Sequence, residues 1–120
     1  MSDLPTVQHV IQASDRIRPY IHRTPVFTSR QIDTMIGATV FFKCENFQRT
    51  GSFKARGGCN AVLSLSDEEA QHGVATHSSG NHAQAVAYAA GLRGIHATIV
   101  MPEDAPPVKV AAVKGYGAEI

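Results

Sequence analysis

The sequence VATHSSGNHAQAVAYAAG, residues 74–91, predicts a strand, a turn and a helix in succession. A short β-branched run opens it, a small polar turn at residues 78–81 follows, and the alanine-rich segment 82–90 predicts a helix that Gly91 closes. Another apolar run, at residues 97–101, predicts a buried strand. A strand that passes through a helix into a second strand is typical of a parallel sheet, so the predicted class is α/β.

The flanking segments continue this alternation. Periodicity and capping residues predict helices at 7–21, 53–65, 66–73 (with Ser66 and Glu69 as a capping box) and 106–115, and strands at 38–45 and from 118 onward. We therefore expect an open parallel sheet with helices on both faces, in which ligands bind beyond the carboxyl ends of the strands. Because the chain stops as a strand begins, we also expect the fold to be incomplete and the chain to be the N-terminal part of a longer polypeptide.

The composition is that of a globular protein without concentrated charge. Of the 120 residues, 43% are hydrophobic and 18% are charged, and the formal net charge is +1. Nucleic acids and membrane surfaces are bound through clustered positive charge, so we expect neither as a partner. The sequence opens without an apolar signal core and has no window apolar enough for a membrane span, so we expect a cytoplasmic location. Cys44 and Cys59 lack the spacing of a zinc or disulfide pair and are interpreted as small buried hydrophobic side chains.

Several common motifs do not fit. GSFKARGG, residues 51–58, lacks the glycine-lysine-Ser/Thr order of a P-loop, and the glycine pair at residues 115–117 follows a helix and lacks the third glycine of a dinucleotide fingerprint. Ser79 lacks the flanking glycines of a hydrolase elbow. His77 and His82 have no third ligand at metal spacing, so no metal ligand is assigned within the chain.

Lys54, inside GSFKARGG, has two interpretations. On a first helical turn it would ordinarily be a solvated surface charge, although the positive end of a helix dipole does not favour a lysine. Alternatively, the amine forms a covalent bond with a carbonyl group, since desolvation by Phe53 or like charge from Arg56 would favour its neutral, nucleophilic form. The residues around Lys54 leave both interpretations open.

A second motif bears on the interpretation of Lys54. GSFKARG at residues 51–57, followed by HSSGNHAQ at residues 77–84, resembles the serine racemases and serine/threonine dehydratases, which are pyridoxal phosphate enzymes of fold type II, the tryptophan-synthase-β-like group. The likeness covers nearly the whole chain. It implies that about residues 1–75 belong to the large cofactor domain and that about residues 76–120 begin the small domain.

The resemblance also implies roles for individual residues. Lys54 would be the amine that bonds to the aldehyde of pyridoxal 5'-phosphate, with Phe53 beside it, and Asn81 would bind the hydroxyl oxygen of the cofactor ring. The second motif opens a helix, where backbone N–H groups favour an anion, and would bind the substrate carboxylate through Ser78, Ser79, Asn81 and His82. An ordinary helix cap would also use serine and asparagine.

Ser79 and Ala83 bear on the reaction that the resemblance implies. A serine at the position of Ser79 acts in the racemases as acid and base on the face opposite the lysine, and two opposed bases permit racemisation. Ala83 follows the dehydratase form of the motif. We expect a deaminating dehydratase (ammonia-lyase) that acts on L-serine or L-threonine by β-elimination, with racemisation as a second reaction. Serine racemase as the main activity, a sulfur-transferring relative, and a non-catalytic fragment or binding module without the phosphate loop are the alternatives.

Further ligands follow from the same resemblance. A nucleotide site would use Arg49, Thr50, Gln84, Lys109 and Tyr116, although Arg30 departs from the serine pair of the animal racemases. The cofactor-phosphate loop and the ligands of a divalent cation such as Mg²⁺ would lie beyond residue 120. The expected partners are a small amino-acid substrate and, for the full-length protein, further copies of itself in a homodimer or higher homo-oligomer.

Overall fold

The computed structural model describes residues 4–120. In chain order its helices and strands are α1 (Val7–Ile17), β1 (Val26–Phe27), α2 (Arg30–Ile36), β2 (Phe42–Lys43), α3 (Lys54–Leu63), α4 (Asp67–Gln71), β3 (Val74–His77), α5 (Asn81–Arg93), β4 (Ala97–Val100) and α6 (Pro107–Gly115). Short 3-10 turns lie at Arg18–Tyr20, Glu45–Phe47 and Arg49–Gly51. Among the described residues, none of the helices has both the length and the apolar character needed to cross a membrane.

The central strands form the predicted parallel pair. β3 and β4 lie in register from Val74 opposite Ala97 to His77 opposite Val100. After α6, Glu119 forms a parallel bridge with Thr98 of β4, so the end of the chain lies beside the sheet as predicted. The architecture is therefore mixed α/β with a parallel unit at its centre.

The N-terminal strands do not join this sheet, and the prediction of one open parallel sheet is wrong for them. β1 and β2 form a separate antiparallel pair, with Val26 opposite Lys43 and Phe27 opposite Phe42. The strand predicted at residues 38–45 is reduced to two residues. One cause is visible at Val40, whose N–H donates to the Asp33 carboxylate at 2.8 Å instead of to a neighbouring strand.

α5 lies between the parallel pair and α3. On one side its alanines pack with β4 and α6 in a buried cluster, and on the other side Ala89 packs with Cys59 and Val62 of α3. Small side chains let three layers approach closely, which explains why nearly every position from 83 to 90 is buried. Burial also raises the pKa of the Cys59 thiol to about 11, as fits a packing side chain.

The helix predicted to close at Gly91 is longer. α5 continues to Arg93 and ends at Gly94, which takes the left-handed conformation with φ of 70°. The Arg93 guanidinium donates to the carbonyl of Val62 at 2.8 Å, which holds the last turn against α3. By contrast, the capping box of Ser66 and Glu69 at the start of α4 is confirmed.

Helices cover only one face of the parallel pair within residues 4–120. Ala97 and Ile99 of β4 are buried against the helices, whereas Val100 on the opposite face is 63% exposed. The prediction of helices on both faces is therefore wrong for the described part of the chain.

Candidate active site at the N-termini of two helices

α3 and α5 run side by side in the same direction. Gly58 approaches Ala85 so closely that a Cβ built on Gly58 would lie 2.8 Å from the Ala85 carbonyl oxygen. Further along, the Arg93 guanidinium in the last turn of α5 donates to the carbonyl of Val62, near the end of α3, at 2.8 Å. The contacts follow the same order along both helices, so α3 and α5 pack in parallel.

Lys54 and Asn81, the first residues of α3 and α5, each lie four positions before the contact of Gly58 with Ala85. The N-termini of the two helices therefore lie at one edge of the molecule. Helix N-termini carry unsatisfied N–H groups and the positive ends of the helix dipoles, so this edge suits an anionic ligand. The structure thus brings the GSFKARG and HSSGNHAQ motifs together.

Lys54 is exposed at this edge. Its Nζ lies 5.1 Å from the centroid of the Phe53 ring, and no hydrogen bond or ion pair of Lys54 is found within residues 4–120. The expected desolvation by Phe53 is not seen in this chain, because Phe53 is itself 59% exposed. Beside Lys54, the Ser52 hydroxyl is buried and has no partner among the described residues.

Arg56 does not add its charge to Lys54, contrary to one interpretation of the sequence. Its guanidinium donates to both carboxylate oxygens of Glu45, at 2.8 and 2.7 Å. The Arg56 hydrogen bonds lower the pKa of Glu45 to about 2, against the opposing effect of burial, and a 2.6 Å hydrogen bond from the Thr24 hydroxyl contributes. No periodicity in the sequence could reveal this ion pair, because the loop between Glu45 and Arg56 sets its geometry.

The turn between β3 and α5 presents the residues assigned to the substrate carboxylate. Ser78 is half-buried: its N–H donates to the Val100 carbonyl at 3.0 Å and its hydroxyl accepts from Gly80 at 3.3 Å. These bonds hold the turn, while Ser79 and His82 remain exposed at the N-terminus of α5. Ser78 therefore shapes the turn, and its neighbours are free to contact a ligand.

Asn81 has a partner that the sequence did not indicate. Its Oδ1 accepts a hydrogen bond of 2.8 Å from Nζ of Lys109, on the first turn of α6. This contact places α6 at the same edge as α3 and α5. The hydrogen bond links Asn81, which the resemblance assigns to the cofactor, with Lys109, which it assigns to the nucleotide site.

The other nucleotide-site residues lie in two places. Arg49 and Thr50 belong to the 3-10 turn that packs on α5, the helix that carries Gln84. The Thr50 hydroxyl and the Gln84 amide nitrogen are both buried without a partner in the described chain. Tyr116 instead stacks edge to face on Tyr88, with ring centroids 5.7 Å apart. The nucleotide site therefore stays a prediction.

One cavity of the described chain does not include Lys54 or Asn81. It measures about 640 Å³ and is lined by Ser14, Arg18, Ile21, His22, Arg23, Lys43 and Arg56. Neither Lys54 nor Asn81 lines it, so the candidate site is an open edge in this chain. Among residues 4–120, no group of three His, Cys, Asp or Glu side chains could hold a metal ion.

Comparison with protein families matches residues 17–120 to the family described as "Pyridoxal-phosphate dependent enzyme". This chain belongs to that family. Both motifs lie within the matched residues, so the edge built by α3 and α5 is a part of a pyridoxal-phosphate-dependent enzyme. The assignment holds at the level of the family, and the roles of individual residues are proposals.

Similar proteins carry two activities in their names. The chain is 57% identical over 117 residues to an L-threo-3-hydroxyaspartate ammonia-lyase of Saccharomyces cerevisiae and 52% identical over 115 residues to a serine racemase of Dictyostelium discoideum. These matches cover 98% and 96% of the chain but only 36% of either relative. The solved structure of maize serine racemase superposes with a TM-score of 0.91 at 55% identity, over 95% of this chain and 35% of that one. The fold is thus that of a fold-type II pyridoxal phosphate enzyme, of which this chain spans about a third.

The residues at the edge fit an aldehyde cofactor. Lys54 is an accessible amine without an ionic partner in the described chain, and Ser52 offers a buried hydroxyl that has no hydrogen bond there. An orphaned buried hydroxyl is uncommon in a complete site, because buried polar groups are nearly always paired. Lys54, Ser52 and Asn81 are therefore the residues of this chain that would hold the cofactor.

Proposed function

We propose that this chain is part of a pyridoxal-phosphate-dependent ammonia-lyase that removes water from a β-hydroxy amino acid, with L-serine and L-threonine as the expected substrates. The observation that carries the proposal is the register of α3 and α5, which places Lys54 and Asn81 at one edge. Family membership and the ammonia-lyase among the relatives support it. The polypeptide would release a 2-oxo acid and ammonia: pyruvate from serine and 2-oxobutanoate from threonine.

The position of each residue at the edge suggests its role in the proposed reaction. The Lys54 amine would bond to the cofactor and move a proton at the substrate α-carbon. The N–H groups at the start of α5, with Ser79 and His82 beside them, would bind the substrate carboxylate and fix its orientation. When bound, the cofactor supplies an electron sink for the charge that develops at the α-carbon.

Racemisation of serine is the second candidate, and Ser79 is the observation that favours it. Ser79 is exposed on the turn before α5, and Lys54 lies at the start of α3. Its hydroxyl would deliver a proton to the side opposite Lys54, which inversion requires. Elimination needs one base only, so both reactions are compatible with this edge.

The test uses the full-length polypeptide and three variants assayed with L-serine, L-threonine and 3-hydroxyaspartate. We expect Lys54→Ala to lose all ammonia release and racemisation. Ser79→Ala is expected to lose racemisation while it keeps most of the elimination. Lys114→Ala, which changes an exposed lysine of α6 outside the edge, serves as the matched control and should keep both activities.

Two results would contradict this proposal. Ammonia release by Lys54→Ala at the rate of the unmodified protein would remove Lys54 from the mechanism. Racemisation without any ammonia release from the three substrates would assign the protein to the second candidate function.

A further inference from the structure

The Glu45 carboxylate connects α3 to the N-terminal strands. It accepts two hydrogen bonds from Arg56, at 2.8 and 2.7 Å, and one from Thr24 at 2.6 Å. The Thr24 carbonyl in turn accepts a 2.6 Å hydrogen bond from Nζ of Lys43 on β2. We call these four residues, Thr24, Lys43, Glu45 and Arg56, the Glu45 cluster. A two-pronged bond between arginine and carboxylate is both strong and directional, so the cluster fixes the orientation of Arg56.

Arg56 belongs to the same helical turn as Lys54. The two residues are separated by about 200° around the axis of α3, because each residue of an α-helix advances by about 100°. The Glu45 cluster therefore holds the side of the first turn that faces away from Lys54. The N-cap of α3, Phe53, makes no side-chain hydrogen bond to the helix, so no ordinary cap restrains this turn.

Glu45 also balances charge near the site. The Arg56 side chain is 35% exposed and the Glu45 side chain only 18% exposed, so the pair is shielded from solvent mainly on the carboxylate side. Without Glu45, the guanidinium would be left unpaired one half-turn from the amine of Lys54. Both the orientation of the turn and the local charge therefore depend on one carboxylate.

We infer that Glu45 is a positioning residue for Lys54, acting through Arg56. This inference rests on the proposed function, since it concerns the amine that would bond to the cofactor. Glu45 does not contact the ligand edge itself: it sets where the first turn of α3 presents Lys54.

The experiment compares Glu45→Gln with two further variants in the full-length protein. Arg56→Lys keeps the positive charge but loses the two-pronged geometry, and Asp67→Asn removes a carboxylate that is paired with Arg93 at 3.2 Å far from Lys54. For Glu45→Gln and Arg56→Lys we expect kcat to fall about 10- to 100-fold, because small displacements of a reacting group slow the chemical step. KM should change by less than about threefold. Asp67→Asn should match the unmodified protein.

A second readout does not depend on activity. Hydrogen exchange of the peptide that covers residues 51–58, measured without cofactor, should become faster in Glu45→Gln, while exchange in α5 stays unchanged. The same cofactor-free protein is then treated with pyridoxal phosphate and borohydride, and the label on Lys54 is quantified by peptide mapping. We expect a lower yield at Lys54 in Glu45→Gln and an unchanged yield at surface lysines.

The outcomes separate this inference from the proposed function. If Lys54 of the unmodified protein takes no label, the proposed function is wrong and the inference is overturned with it. If Lys54 is labelled normally in both Glu45→Gln and Arg56→Lys, and kcat is retained, only the inference is overturned. Faster hydrogen exchange throughout the protein, with kcat per folded molecule unchanged, would also overturn the inference. That result would indicate a general effect on stability. If Glu45→Gln does not fold, the same measurements on Arg56→Lys test the inference.

Discussion

The ionisation of Glu45 contributes to the stability of the fold. Its pKa falls from an ordinary value of 4.5 to about 2 in the folded chain, chiefly through the Arg56 hydrogen bonds. A carboxylate with a lowered pKa stabilises the fold above its unfolded pKa, and that contribution is lost as pH falls toward the folded pKa. The relevant window is therefore pH 4.5 down to about 2.

This window gives a prediction at the residue scale. At neutral pH, Glu45→Gln should lower the free energy of unfolding by on the order of 2 kcal/mol. The difference between the two proteins should shrink as pH falls from 4.5 toward 2. Urea unfolding of the full-length protein at several pH values measures this difference in the free energy of unfolding. A difference that is independent of pH would contradict the assigned ion pair.

Thr50 is strained in its backbone. It is the non-glycine residue of the described chain with a positive φ, at 60°, and its hydroxyl is buried without a partner there. β-branched residues avoid this region, so Thr50→Gly should raise the free energy of unfolding by about 1 kcal/mol. Thr34→Gly, in the middle of α2, is the matched control and should lower it by about 0.5–1 kcal/mol. A loss of stability in both variants would mean that Thr50 is not strained.

At the scale of elements, the contact between α3 and α5 has the sharpest steric requirement. A Cβ on Gly58 would meet the backbone of Ala85 at 2.8 Å, whereas a Cβ on Gly57 would meet nothing within 4 Å. Gly58→Ala should therefore destabilise the protein by about 1–3 kcal/mol, because the helices must separate.

The neighbouring glycine provides the control for that prediction. Gly57→Ala lies in the same helix and should stabilise the protein by about 0.5–1 kcal/mol through the lower entropy of the unfolded chain. Thermal unfolding of both variants measures the contrast. Equal effects would show that α3 and α5 are not packed in the register that aligns Lys54 with Asn81.

The elements also show how far the sequence could predict the fold. The parallel unit from β3 to β4 was predictable, because buried strands and an alanine-rich helix leave clear periodic patterns. β1 was not predicted, since a strand of two residues carries no period, and β2 was predicted only as part of a longer strand at residues 38–45. The helix end at Gly94 was missed because Gly91 is equally able to close a helix, and only the contacts of Arg93 with α3 distinguish them.

The residues of the candidate site were proposed from the sequence, whereas the contacts between them could not be. The two motifs suggested Lys54 and Asn81 through resemblance, and the roles of these residues stay predictions. The ion pair of Glu45 with Arg56 and the hydrogen bond from Lys109 to Asn81 depend on loop paths, which local sequence does not specify.

At the scale of the whole molecule, the largest apolar side chains lie outside the core. Each of the five phenylalanines is at least 40% exposed, and the buried core is built mainly from alanine and valine. The chain spans about 36% of the length of the curated relatives it matches. We therefore expect the 120-residue chain alone to bind a hydrophobic dye more strongly, per mole, than the full-length protein. Equal dye binding by the two would contradict this expectation.

The most direct test of the central claim is the site of covalent attachment. The full-length protein is loaded with pyridoxal phosphate, reduced with borohydride, digested and mapped, in parallel with Lys54→Arg and with Lys114→Arg as the control. We expect the label on Lys54 in the unmodified protein and in Lys114→Arg, and no label at residue 54 with loss of activity in Lys54→Arg. A stable label on another lysine, together with full activity in Lys54→Arg, would contradict the role of Lys54.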